Sequence, residues 1–158
     1  MQPSPDDLFA KLAEELGYNF DGELKIGGKY VSVILNGQEI YISGQIPRVG
    51  ECIIVTGRAG QTVALPQAQL AAKICAMRAL ALLRQRLGSL GRVKSILRVT
   101  VYVQSAETFT QQSEVADGAS EVLFAILGQA GAHTRTSVGV YQLPKNATVE
   151  LDLIASVM

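Results

Sequence analysis

Asn36-Gly37 sits between two runs rich in β-branched and aromatic residues, 29–35 and 38–43. An Asn-Gly pair flanked in this way is the strongest short-range signal for a β-hairpin, because both residues accept the backbone that tight hairpin turns require. The hairpin commits the chain to antiparallel sheet early. Later segments must then cover one face of that sheet.

The later segments supply the cover. Pro66 stands where the first turn of a helix tolerates it, and the pattern continues to about Leu87, with Leu70, Ile74, Met77, Ala81 and Leu87 at helical spacing. Lys73, Arg84 and Arg86 fall on the opposite side, and Gly88 and Gly91 punctuate the end. Residues 93–104 read as a strand by β-branched content. A second helix is expected at 111–128, and closing strands follow Gly131. Before the hairpin, Ser4 and Asp6 are candidate caps for a helix over 7–16, whose Leu8, Phe9, Leu12 and Leu16 form an apolar stripe ending at Gly17. Residues 44–60, rich in Gly and carrying Pro47, read as a loop with one short strand. The reading is one α+β domain over 1–158: a helical extension at 1–20 and a core at 29–157. Two main helices pack on one face of a mostly antiparallel sheet.

Composition narrows the function classes. Of 158 residues, 48% are hydrophobic and 18% charged, and the mean hydropathy is +0.23. That is apolar for a lone soluble chain, so association with further copies is expected. Lys+Arg and Asp+Glu stand at 14 each, which gives no global field for nucleic acid or an anionic membrane. Cys52 and Cys75 lack metal-ligand spacing, and no cofactor or metal is expected. The start of the chain lacks the basic and apolar regions of a signal peptide, and no run reaches the roughly 18 apolar residues of a membrane span. A cytoplasmic protein is expected. Residues 50–60 lack phosphate-loop spacing. His133, the one histidine, has neither a second histidine nor an adjacent nucleophile and reads as structural.

The densest chemistry lies at 133–155. Arg135 precedes a short apolar strand, Leu143-Pro144 makes a turn, and an alternating strand carries Glu150. Two strands joined by a turn are expected to bring Arg135 and Glu150 to one end of a sheet, as a site for a small carboxylate.

Ser43-Gly44-Gln45-Ile46-Pro47, the strand at 99–103, and Arg135 with Leu143-Pro144, Val149-Glu150 and Ile154-Ala155 together resemble the Rid family (YjgF/YER057c/UK114), whose members often carry the label endoribonuclease L-PSP. The likeness runs from about Tyr30 to Val157. The N-terminal helix and the phrase from Val115 to Ser120 resemble a longer branch of the family. The resemblance implies a chorismate-mutase-like fold, a homotrimer with clefts between subunits, and hydrolysis of 2-imino or enamine acids to 2-keto acids and ammonia.

Carried over by residue, Arg135 matches the carboxylate-binding arginine, whose planar fork suits a carboxylate. Glu150 matches the acidic residue that orients or activates water. Ser43 and Gly44 match the pair beside the ligand, with Ser43 a candidate in catalysis. Tyr30 matches a cleft tyrosine. Ser137 stands where the deaminases carry cysteine, Ser113 falls near a cleft asparagine, and Gly139 replaces an acidic residue. These departures keep the carboxylate anchor and weaken the step to imine chemistry. Three readings follow: an imine or enamine deaminase, a non-catalytic binder of 2-keto acids or related small carboxylates, and, least favoured, an endoribonuclease. One histidine and zero net charge argue against RNA cleavage.

Overall fold

The computed structural model describes residues 1–158. In chain order the elements are α1 (Pro5–Leu16), β1 (Val33–Asn36), β2 (Glu39–Gln45), β3 (Arg48–Val49), β4 (Cys52–Ile53), α2 (Leu65–Leu87), β5 (Val93–Gln104), α3 (Gln112–Leu127), β6 (Thr134–Val140) and β7 (Val149–Val157). The expected hairpin forms, but Asn36 pairs with Glu39, so its loop is Gly37-Gln38. Gly37 takes a φ of 63° while Gln38 stays at negative φ. That pattern belongs to a turn with glycine at its first central position. The first strand begins at Val33, not at residue 29, and Tyr30 lies in the bend before it. The expected loop at 44–60 contains the small β3–β4 hairpin.

Five strands make one sheet in the order β1-β2-β7-β5-β6. All its pairs are antiparallel except β5–β6, which α3 joins as a crossover, as parallel strands require. The fold is therefore α+β with a mixed sheet. Along β7, buried and half-buried residues alternate without a break. Ile40 and Ile42 on β2, and Val99, Val101 and Val103 on β5, share the buried face. The two long helices cover that face, α2 over β2 and β7, and α3 over β5 and β6.

Fourteen of the 23 residues of α2 are buried, so it is enclosed on nearly every side rather than amphipathic. The sheet lies below it, α3 beside it, and α1 with Phe20 covers the rest. Ser4 and Asp7 exchange capping bonds of 3.0 and 3.1 Å that start α1. Phe9, 2% exposed, meets Phe20 edge-on at 6.3 Å between centroids. The guanidinium of Arg84 lies 4.4 Å from the centre of the Phe9 ring. Asp6 accepts from the Ser89 hydroxyl at 2.6 Å and the Leu90 N–H at 3.0 Å. The N-terminal helix is thus latched to the back of α2. No helix is long and apolar enough to cross a membrane, and both cysteines are free thiols.

One expectation is overturned here. β6 and β7 follow one another in sequence, yet β5 lies between them. Arg135 pairs with Val99, which faces the helices, while Glu150 pairs with Tyr102 on the open face. Within one chain, Arg135 and Glu150 sit two strands apart on opposite faces of the sheet.

Candidate functional site

The pairing of β2 with β7 slips between Ile42 and Gln45, so Ser43 and Gly44 together face one residue, Asp152. This is a β-bulge, a device that re-aims backbone and side chains beside a site. The buried Gln45 holds it: its amide donates to the Ser43 carbonyl at 3.0 Å. A side chain at Gly44 would run into the carboxylate of Glu150, so only glycine lets β7 place that carboxylate against the bulge. Ser43 Oγ is the one buried side-chain polar atom without a hydrogen-bond partner. Burial raises the Glu150 carboxyl above its ordinary value, and the charge of Asp152 adds to the effect.

Glu150 lines a cleft of about 220 Å³ together with Tyr30, Gly44, Arg48, Arg78 and Lys145. Arg78 stands mid-helix on α2 and is 4% exposed. Its Nε donates to Gln45 Oε1 at 3.1 Å, and its two Nη atoms donate to the Arg48 carbonyl at 2.7 Å and the Lys25 carbonyl at 3.2 Å. All three acceptors are neutral. Burial, and then the nearby Arg48, push its guanidinium below the ordinary value, yet an arginine keeps its charge at physiological pH. Arg48, 9% exposed, lies on β3 at the same cleft. The chain's four ion pairs involve neither residue.

The lip of the cleft is a strained turn. Lys145 and Asn146 adopt φ of 58° and 59° without being glycine, a conformation that costs energy and persists where surroundings enforce it. The enforcing group is Gln104, 1% exposed. Its amide donates to the carbonyls of Gly57, Asn146 and Ala147 at 2.9–3.3 Å. Lys145 is thereby fixed at the mouth.

Arg135 occupies a different environment. Its Nη1 donates to Asp117 and to the Ser120 hydroxyl, both at 2.9 Å, and its Nη2 donates to the Ser113 carbonyl at 3.1 Å and hydroxyl at 2.9 Å. These acceptors lie on α3, so the edge strand β6 is pinned to the helix that precedes it. His133 Nδ1 lies 2.6 Å from the Gly131 carbonyl, which fixes the proton there, and Nε2 then accepts from Ser120 at 2.8 Å. The histidine thus ties the loop to α3. Ser137 follows Arg135 on the same face of β6, opposite Val101.

Over residues 18–157 the chain matches the profile of the family described as "YjgF/chorismate mutase-like, putative endoribonuclease". The chain belongs to this family. Protein TCP17 of Trypanosoma cruzi is 37% identical over 144 residues, which is 89% of each chain. The crystal structure of protein Atu1372, of unknown function, from Agrobacterium tumefaciens is 34% identical with a TM-score of 0.87, covering 98% of this chain and 95% of its own. E. coli TdcF with bound serine shares the fold at 22% identity and a TM-score of 0.62, covering 84% of this chain and 91% of its own. The likeness to the Agrobacterium protein extends through the N-terminal helix of this YjgF-family chain, since the uncovered 2% is smaller than that helix.

The residues picked from sequence therefore fall into two groups. Tyr30, Gly44 and Glu150 converge on the cleft with Ser43 in the adjoining bulge, while Arg135 and Ser137 stand away from it. Arg48, Arg78 and Lys145 were missed. Arg78 carried a readable signal, being the one charged residue in the apolar run 74–83.

Proposed function

We propose that this YjgF-family protein hydrolyses 2-imino or enamine acids to 2-keto acids and ammonia, in a homotrimer whose neighbouring copy completes the cleft. The observation that carries the reading is the Glu150 carboxyl, held against Gly44 in a cation-lined cleft and raised by burial above its ordinary value. A carboxyl so tuned exchanges a proton readily. An enamine first tautomerises to the imine. Water then attacks the imine carbon as Glu150 takes its proton and passes it to nitrogen. The carbinol hydroxyl next gives its proton to Glu150 as the C=O bond forms, and the C–N bond breaks with its electron pair leaving on ammonia. The protonated imine is already electrophilic, so a site without a nucleophile suffices. Tyr30 flanks the ligand. Ser43, its hydroxyl covered, shapes the bulge. Arg135, with Ser137 beside it, serves the cleft of an adjacent copy. The open sheet face supports assembly, since Ile34, Tyr41 and Val138 stand 52%, 37% and 39% exposed there. Two free thiols suit the reducing cytoplasm. The serine held by TdcF is an amino acid of the size this reading needs.

A source of 2-aminoacrylate mixed with the purified protein should release keto acid faster than buffer alone. Glu150→Gln should lower that rate about 100-fold, a typical worth of one acid–base group. A wild type no faster than buffer would sink the deaminase reading for this substrate. The alternative, a non-catalytic binder of 2-keto acids, is favoured by the departures at Ser113, Ser137 and Gly139, which spare the carboxylate anchor. Pyruvate binding without turnover would decide for it. Endoribonuclease activity, named in the family description, is the least supported reading, because the single histidine is committed to Ser120 and Gly131.

A further inference from the structure

The geometry points to a second anion site in the cleft, formed by Arg48 and Arg78, so that the preferred ligand is a 2-oxo or 2-imino acid carrying two carboxylates. The inference rests on the carboxylate-ligand reading above and narrows its substrate class.

The charge balance of the cleft makes the case. Lys25, Arg48, Arg78 and Lys145 line it, against one carboxylate, Glu150. Lys25 is neutralised by Glu51 at 2.9 Å, which leaves three cations. Two of these are more than nine-tenths buried and pair with no carboxylate. Removing an arginine from water is costly unless an anion compensates. Arg78 has no carboxylate beside it, and Arg48 has only the exposed Glu51, which Lys25 already holds. Three of the five N–H donors of Arg78 are spent on neutral oxygens, and its guanidinium still borders the cleft. Arg48 donates no side-chain hydrogen bond at all, yet its guanidinium nitrogens are not sealed off, because Ser43 Oγ is the only sealed and unbonded polar atom. A pair of guanidinium groups with free donors at a cavity wall is matched by one carboxylate.

A ligand with a single carboxylate satisfies only one of two anion anchors, this pair or Arg135 of an adjacent copy once that arginine exchanges Asp117 for the ligand. A dicarboxylate satisfies both, while Glu150 works on the carbon between them. Gln45 links the new site to the old, accepting from Arg78 and donating to the bulge that carries Gly44.

Calorimetric titration of the full chain with 2-oxoglutarate and with 2-oxobutanoate tests this. The dicarboxylate should bind roughly tenfold tighter, the value of one charge-assisted contact. Arg48→Gln should erase most of that preference, and Arg48→Lys should restore part of it. Equal affinity of the two acids would overturn the site, as would a preference that survives in a folded Arg48→Gln protein, or affinity for neither acid. Turnover is read separately: a wild type that prefers 2-oxoglutarate yet does not hydrolyse 2-aminoacrylate keeps the anion site and loses the deaminase. Hydrolysis without a dicarboxylate preference does the reverse.

Discussion

Arg135 and Arg78 are both held by several hydrogen bonds, and they close their charge in opposite ways. Arg135 draws its partners from a single helix, α3, and one of them is the carboxylate of Asp117. Its terminal nitrogens have no donor to spare and its charge is cancelled within the chain. Arg78 is far more buried, yet it meets only carbonyl and amide oxygens, and the Arg48 side chain makes neither a hydrogen bond nor an ion pair. A cluster that is electrostatically complete must release an internal partner before it can serve a ligand. One that stays incomplete at the wall of a cavity is prepared for something from outside.

Gly44→Ala should have the largest effect on this contrast. The new methyl group displaces the Glu150 carboxylate; turnover should fall about 100-fold, as for a misplaced reacting group, and overpacking should cost roughly 1–3 kcal/mol. Steady-state kinetics and urea unfolding check both, and an active, stable variant would mean that the bulge does not position Glu150. Asp117→Asn comes next. It uncovers Arg135 at a stability cost of about 0.5 kcal/mol, as for an exposed ion pair, and should tighten pyruvate binding. No change in affinity would break the contrast, because Arg135 would then be scaffold with or without its partner.

The smallest effect is a pH dependence. The folded-state carboxyl of Glu150 lies above its unfolded value of 4.5, so the folded chain binds more protons and loses stability as pH rises through that window. Glu150→Gln removes the loss. Its melting temperature should exceed that of the wild type slightly at pH 7 and match it below pH 4.5, in scans at both pH values. A variant less stable at pH 7 would mean that the ionised carboxylate is well compensated in the cleft.

Much of this was legible beforehand, for local reasons. Ser4 and Gly17 bracket α1, Pro66 and Gly88 bracket α2, and β-branched content gave β5 from Val93 to Gln104. Tyr30, Gly44 and Glu150 were found through a motif that spans a hundred residues. The failures are non-local. Placing Arg135 beside Glu150 assumed that consecutive strands pair, but the α3 crossover sends β6 to the sheet edge and lets β5 take the place next to β7. Arg48 and Arg78 went unnoticed in the sequence, because what matters is which strands and carbonyls surround them. The sequence pattern also offered no sign that Gln104 would enforce a left-handed turn at Lys145 some forty positions later.

The seam between β2 and β7 joins residue 45 to residue 151. A chain emerging from the ribosome makes the first hairpin long before its sheet neighbour exists, and the exposed edge of β2 must wait for almost everything else. The Glu150 side chain reaches back along that seam to Gly44. The cleft is therefore complete only once β7, the last strand in sequence, has docked beside β2.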